Sequence, residues 1–80
     1  MDSITAIKER ILHLCAERDI SINRLATLSG LSPSSVKNIL YGKSTRPKIL
    51  TIKKLCDGLD ITLGEFFSTP EFDELEQEIR

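Results

Sequence analysis

Apolar residues recur along this chain in short stretches whose spacing is helical. Ile4, Ile7, Ile11, Leu14 and Cys15 follow an i, i+3, i+7, i+10, i+11 pattern, which predicts one helix from Ser3 to Asp19. Ser3 is its expected N-cap, and Lys8, Glu9, Arg10, Glu17 and Arg18 fall on the solvated side. Ser21 offers a cap for a short second helix over Ile22 to Ser29, with Leu25, Ala26 and Leu28 inward and Gly30 as its stop. Ser32 followed by Pro33 places a capping residue before a proline at the first helical position, so a third helix starts there and runs to about Tyr41. Its inward residues are Val36, Ile39 and Leu40, which leaves Ser34, Ser35, Lys37, Asn38 and Tyr41 outward or at the margins. Gly42 closes that helix, GKSTRP forms a loop, and a fourth helix is predicted over Lys48 to Gly58 with Ile49, Ile52, Leu55, Cys56 and Leu59 as its stripe. Thr62 caps a short fifth helix through Leu63, Phe66 and Phe67. Pro70 then breaks the chain. The tail EFDELEQEIR has Phe72, Leu75 and Ile79 at i, i+3, i+7, the pattern of an acidic amphipathic helix that is marginal by itself.

The expected fold is therefore all-α, with one core, because 80 residues have no apolar surface to spare for a second. The natural division is a helical domain over 1–69 and an acidic tail over 70–80. No stretch approaches the roughly 20 apolar residues of a membrane span, and the first ten residues carry acids and bases instead of an apolar signal core, so the expected location is the cytoplasm. Cys15 and Cys56 lie far apart among aliphatic residues and read as reduced core thiols. His13 is the lone histidine, too little for a metal site, and no cofactor is expected. Catalysis finds no support either. The tail's acids sit on a solvated face, and Ser32, Ser34 and Ser35 have no general base beside them.

Charge sharpens the picture because its average is misleading. The net charge of −1 combines a net +3 over 1–69 with a net −4 over 70–80. Between Ser21 and Leu55 stand seven bases, Arg24, Lys37, Lys43, Arg46, Lys48, Lys53 and Lys54, and not one acid. Such a segment makes a positive field over one face, suited to a polyanion. It coincides with two short helices meeting at Gly30-Leu31-Ser32, the arrangement that sends the second helix into a DNA major groove.

Residues 20–67, through ISINRLATLSGLSPSSVKNILYGK and TIKKLCDGLDITLGEFF, resemble the lambda-repressor-like, Cro/C1-type (XRE) helix-turn-helix family. The elements that carry the likeness are Leu25-Ala26, Gly30, Leu31-Ser32, Val36 with Ile39, Gly42-Lys43, Leu55, Leu59 and the closing ITLGEFF. The resemblance implies a five-helix bundle with the helix-turn-helix at about 21–41, in which helix three reads bases and the amino ends of helices two and three meet phosphates. It also implies sequence-specific binding of double-stranded DNA and regulation of transcription, as a repressor of bacterial or phage type. Two departures matter: the family often has glutamine at the first positions of helices two and three, where this chain has Ile22 and Pro33.

Base readout then shifts onto Ser34, Ser35, Lys37 and Asn38, with Ser32 placed against a phosphate. Asn23, Arg24, Tyr41, Lys43, Ser44 and Arg46 are assigned to positioning on the backbone. A homodimer on a palindromic operator is expected, since one domain contacts few base pairs, with Phe67, Phe72, Leu75 and Ile79 as the candidate contact. No membrane or small-molecule partner is indicated. The missing glutamines and near-neutral net charge leave an alternative open, an antitoxin-like or regulatory protein-interaction module of the same fold. A third reading has the acidic tail folding over the basic face and inhibiting it.

Overall fold

The computed structural model describes residues 1–42 and 44–79, and within them the chain is helical, without strands: α1 (Ser3–Arg18), α2 (Ile22–Leu28), α3 (Pro33–Leu40), α4 (Ile49–Gly58), α5 (Leu63–Phe67) and α6 (Pro70–Asp73). α2 packs on both α3 and α4, α4 on α5, and α1 on α6. The centre of the core is formed by Ile11, Leu25, Val36, Leu55, Cys56 and Phe66.

Three of the interhelical junctions share one construction. At Asp19-Ile20-Ser21, Gly30-Leu31-Ser32 and Asp60-Ile61-Thr62, the first residue has φ of 52°, 67° and 58° respectively. Its left-handed backbone lets the next residue's N–H reach back to the helix just ended: Ile20 to Cys15 O at 3.1 Å, Leu31 to Ala26 O at 2.9 Å and Ile61 to Cys56 O at 3.0 Å. This is the Schellman closure, which satisfies carbonyls that the helix leaves without partners. The apolar middle residue packs against the core, and the hydroxyl residue at once caps the next helix, accepting from the N–H of Arg24, Ser35 or Glu65. Each turn is thus kept to three residues. At the third, the Glu65 carboxylate also accepts from the Thr62 N–H at 3.0 Å, completing a capping box.

Several expectations are corrected. α1 is capped by Asp2, whose Oδ1 accepts from the Thr5 N–H at 2.9 Å, and not by Ser3. A carboxylate beside the positive helix end prevails over a neighbouring hydroxyl, and these same bonds hold the Asp2 carboxyl below its ordinary range. Leu28 and Ile49 were expected inward, yet they are 44% and 60% exposed. Leu28 is the last residue of its helix, while the Ile49 side chain leans toward the amino end of α4 and so points past the core. Arg10, expected in solvent, reaches across to α5: its Nε donates to Phe66 O at 2.8 Å and its Nη2 to Glu65 O at 2.9 Å. Its guanidinium also lies 5.9 Å from the centroid of the Phe66 ring.

The bundle of five helices is extended by a sixth. Pro70 begins α6 as its N1 residue, and the helix lasts one turn instead of following the Phe72, Leu75, Ile79 pattern. Glu74, Glu76 and Glu78 would have stood at the negative end of a longer helix, with Glu74 and Glu78 repelling at i, i+4. Phe72 packs instead onto Phe67, edge to face at 4.9 Å, and Phe67 onto Phe66 at 4.8 Å. Those rings pack on one another within their own subunit, where Phe67 and Phe72 are half-buried. Ile79 stays 87% exposed. The tail returns once more to α1, where Ser3 Oγ donates to Glu78 Oε2 at 2.7 Å. Cys15 and Cys56 are buried free thiols, and desolvation pushes both above the ordinary thiol range.

Candidate nucleic-acid interface

The geometry of α3 follows from its sequence period. Val36, Ile39 and Leu40 are buried, whereas Ser34, Lys37, Asn38 and Tyr41, at i, i+3, i+4 and i+7, form one exposed stripe. α2 holds α3 in this attitude through Leu25 and Ala26, which are fully buried, and through the tight Gly30 junction. The stripe is therefore presented on a rigid base.

At the amino end of α3 three hydroxyls converge. Ser32 Oγ accepts from the Ser35 N–H at 3.2 Å and lies 3.1 Å from Ser34 Oγ and 2.8 Å from Ser35 Oγ. Pro33 contributes no N–H here, so the cluster surrounds a helix end whose remaining donors are few. At the amino end of α2, Ser21 Oγ accepts from the Arg24 N–H at 3.0 Å, and Asn23 and Arg24 are exposed beside it. The Asn23 carbonyl also accepts from Thr27 Oγ1 at 3.1 Å.

After α3 the chain turns at Gly42, with φ 98°, and the Ser44 N–H donates to the Asn38 carbonyl at 2.9 Å, which folds the loop against the end of α3. Ser44 is half-buried and Arg46 exposed. Lys43, assigned to the backbone with them, lies outside the described residues. Among the described residues, Arg24, Lys37, Arg46, Lys48 and Lys54 have no carboxylate partner, but Lys53 pairs with Asp57 one turn along α4. The acid-free run ends immediately before Asp57, so Lys53 belongs to the expected positive field only in part.

Sequence reasoning missed one feature of this face. Lys48 occupies the N-cap of α4 and makes no side-chain cap bond, so a positive charge stands at the positive end of a helix. That arrangement is unfavourable until an anion arrives, and its signal in the sequence is the absence of Ser, Thr, Asp or Asn ahead of Ile49. The surface as a whole can clasp a polyanion and hold a polar helix face against it.

Comparison with known proteins agrees. The family model for the Cro/C1-type HTH DNA-binding domain matches residues 10–71. The chain belongs to this family. The Cro/C1-type family is one of DNA-binding regulators and not of enzymes. The HTH-type transcriptional repressor RghR of Bacillus subtilis (strain 168) is 43% identical over 53 residues, 66% of this chain and 39% of that protein. The HTH-type transcriptional regulator PuuR of Escherichia coli (strain K12) is 36% identical over 63 residues, 79% of this chain and 34% of that protein. The chain thus spans little more than a third of these curated relatives. The crystal structure of the prophage Lp1 protein 11 superposes with a TM-score of 0.81 at 37% identity, covering 94% of this chain and 100% of that one. No described helix is long and apolar enough to cross a membrane.

Proposed function

We propose that this Cro/C1-type chain binds double-stranded DNA sequence-specifically and represses transcription, with α3 in the major groove. The observation that carries the reading is the exposed stripe Ser34, Lys37, Asn38 and Tyr41 on α3, in a stretch of chain whose exposed bases Arg24, Arg46, Lys48 and Lys54 have no acidic partner among the described residues. Lys37 and Asn38 reach base edges. Asn23, Arg24, Tyr41, Lys43, Ser44 and Arg46 meet sugar and phosphate, Ser32 meets phosphate through the backbone at the start of α3 and not through its engaged hydroxyl, and Lys48 joins them at the start of α4. The DNA-binding unit is residues 1–69, with the helix-turn-helix at about 21–41. Residues 70–80 are an acidic appendage whose first turn closes the aromatic cluster.

A single α3 offers too few base contacts to mark one site in a genome, so the working form is a homodimer on a palindromic operator. Its half-sites are expected about 34 Å apart, one helical turn of DNA. Selection of bound sites from random duplex, then titration of the winner against scrambled DNA at two salt concentrations, tests the reading. A palindromic winner whose log affinity falls linearly with log salt supports it. The missing amides at Ile22 and Pro33 favour one competing reading, a protein-interaction module of the same fold. Failure to enrich any site, with negligible binding to duplex at low salt, would establish that alternative instead.

A further inference from the structure

We infer that base discrimination rests on Lys37 and Asn38 alone, that the serines of α3 contribute none, and that the preferred half-site therefore carries a guanine and an adenine within one or two base pairs of each other. The inference deepens the DNA-binding reading above and rests on it.

The serines are excluded by their bonding. A hydroxyl has one proton and two lone pairs. The Ser32 oxygen faces three partners, the Ser35 N–H at 3.2 Å, Ser34 Oγ at 3.1 Å and Ser35 Oγ at 2.8 Å. Its capacity is filled when it accepts from the N–H and one hydroxyl and donates to the other. One of Ser34 and Ser35 then directs its own proton inward, and one hydroxyl proton and three lone pairs remain for the whole cluster. A hydroxyl that can either donate or accept finds a partner on a phosphate or on the edge of any base pair, so it distinguishes little. The cluster holds the amino end of α3 together and offers a sequence-neutral contact.

Lys37 and Asn38 are differently placed. Both are exposed, in the last turn of α3, and without a side-chain hydrogen bond or ion pair among the described residues. The Asn38 amide presents a donor and an acceptor together, which matches adenine N6 and N7 and no other major-groove edge as well. The Lys37 ammonium presents donors only, which matches the guanine O6 and N7 pair. The short asparagine requires the helix to come close and thereby sets the register, and the long lysine stem adapts to it. Consecutive residues on one helix face sample adjoining base pairs, which keeps the two purines together. At i+4 from Lys37 and i+3 from Asn38, Tyr41 stands at the carboxyl end of the stripe, where the helix leaves the groove.

The test is the same random-duplex selection, performed with the full chain and with Lys37→Ala, Asn38→Ala, and Ser34→Ala combined with Ser35→Ala. The expected outcome is a wild-type half-site with neighbouring guanine and adenine. Asn38→Ala erases the adenine preference and Lys37→Ala the guanine preference, each lowering affinity for the selected site by about 5- to 150-fold. The double serine variant keeps the motif at full sharpness even where its overall affinity falls. Circular dichroism of each variant confirms that α3 still forms. A motif altered by the serine changes, or one that survives both Lys37→Ala and Asn38→Ala, overturns this inference while leaving DNA reading intact. No enrichment by the wild-type chain overturns both.

Discussion

Gly58 has no room for a side chain. A Cβ there would sit 2.3 Å from Ser29 Oγ, 3.0 Å from the Ser29 nitrogen and 3.1 Å from the Leu28 carbonyl carbon, because the end of α4 presses on the end of α2. Gly58→Ala is expected to destabilise by about 1–2 kcal/mol in chemical denaturation, overpacking outweighing alanine's better helix propensity. Ser29 Oγ is buried and lacks a protein partner, so Ser29→Ala is expected to be neutral or stabilising by up to about 1 kcal/mol. In the Ser29→Ala background, Gly58→Ala should cost less without becoming free, since the backbone contacts remain. Gly30 differs in kind: nothing lies within 4 Å of a Cβ built there, and its φ is +67°. Gly30→Ala should therefore cost about 1–2 kcal/mol of stability through backbone strain alone. Its role was legible in the sequence as a stop between two periodic segments. That of Gly58 was not, because it depends on a neighbour 29 positions away. Burial and the raised thiol range of Cys15 and Cys56 predict that an alkylating reagent at neutral pH modifies neither in the native protein. Labelling should follow global unfolding, and rapid labelling in buffer would contradict the packing described.

Elements were legible where their signals are local. The caps Ser21, Ser32 and Thr62 and the stop at Gly30 were readable because each acts within four residues. Asp19 and Asp60 do the same work as Gly30 but read less plainly, since aspartate adopts a left-handed backbone only as a minority state. What periodicity cannot report is the reach of a long side chain to another element. Arg10 sits on the polar side of α1 by its own helix's count, and yet its planar fork supplies donors to two carbonyls at the end of α5. Those carbonyls belong to a five-residue helix that has little stability of its own. Arg10→Ala is expected to destabilise the domain by about 1–3 kcal/mol and to speed amide exchange in α5 before the rest of the bundle opens. Arg10→Lys should recover less than half, because an ammonium cannot reproduce the fork. Equal exchange in α5 for Arg10→Ala and the parent would show that the aromatic cluster alone holds that helix.

At the scale of the molecule, two opposite charge regions coexist without neutralising each other. The tail's described acids pair with no lysine or arginine among the described residues, and its contacts are with α1 and the rings of α5. Any influence of the tail on the basic α3 side is thus through space and subject to screening, over about 30 Å at 0.01 M salt and about 8 Å at 0.15 M. The molecule measures 36 × 24 × 20 Å, so a field from one side spans it only at the lower salt. Deleting 70–80 confuses this effect with a second one, because it strips Phe72 from Phe66 and Phe67 and should by itself cost about 1–2 kcal/mol of stability. Replacing Glu74, Glu76 and Glu78 by glutamine separates them, leaving Phe72 in place. That variant is expected to unfold at the parent's denaturant midpoint, to bind duplex DNA several-fold more tightly at 0.01 M salt, and to match the parent within about twofold at 0.15 M. A gain that persists at 0.15 M would mean that the acids touch the basic face directly when DNA is absent. The tail would then be an inhibitor by contact, displaced on binding, and its position against α1 one of two alternatives.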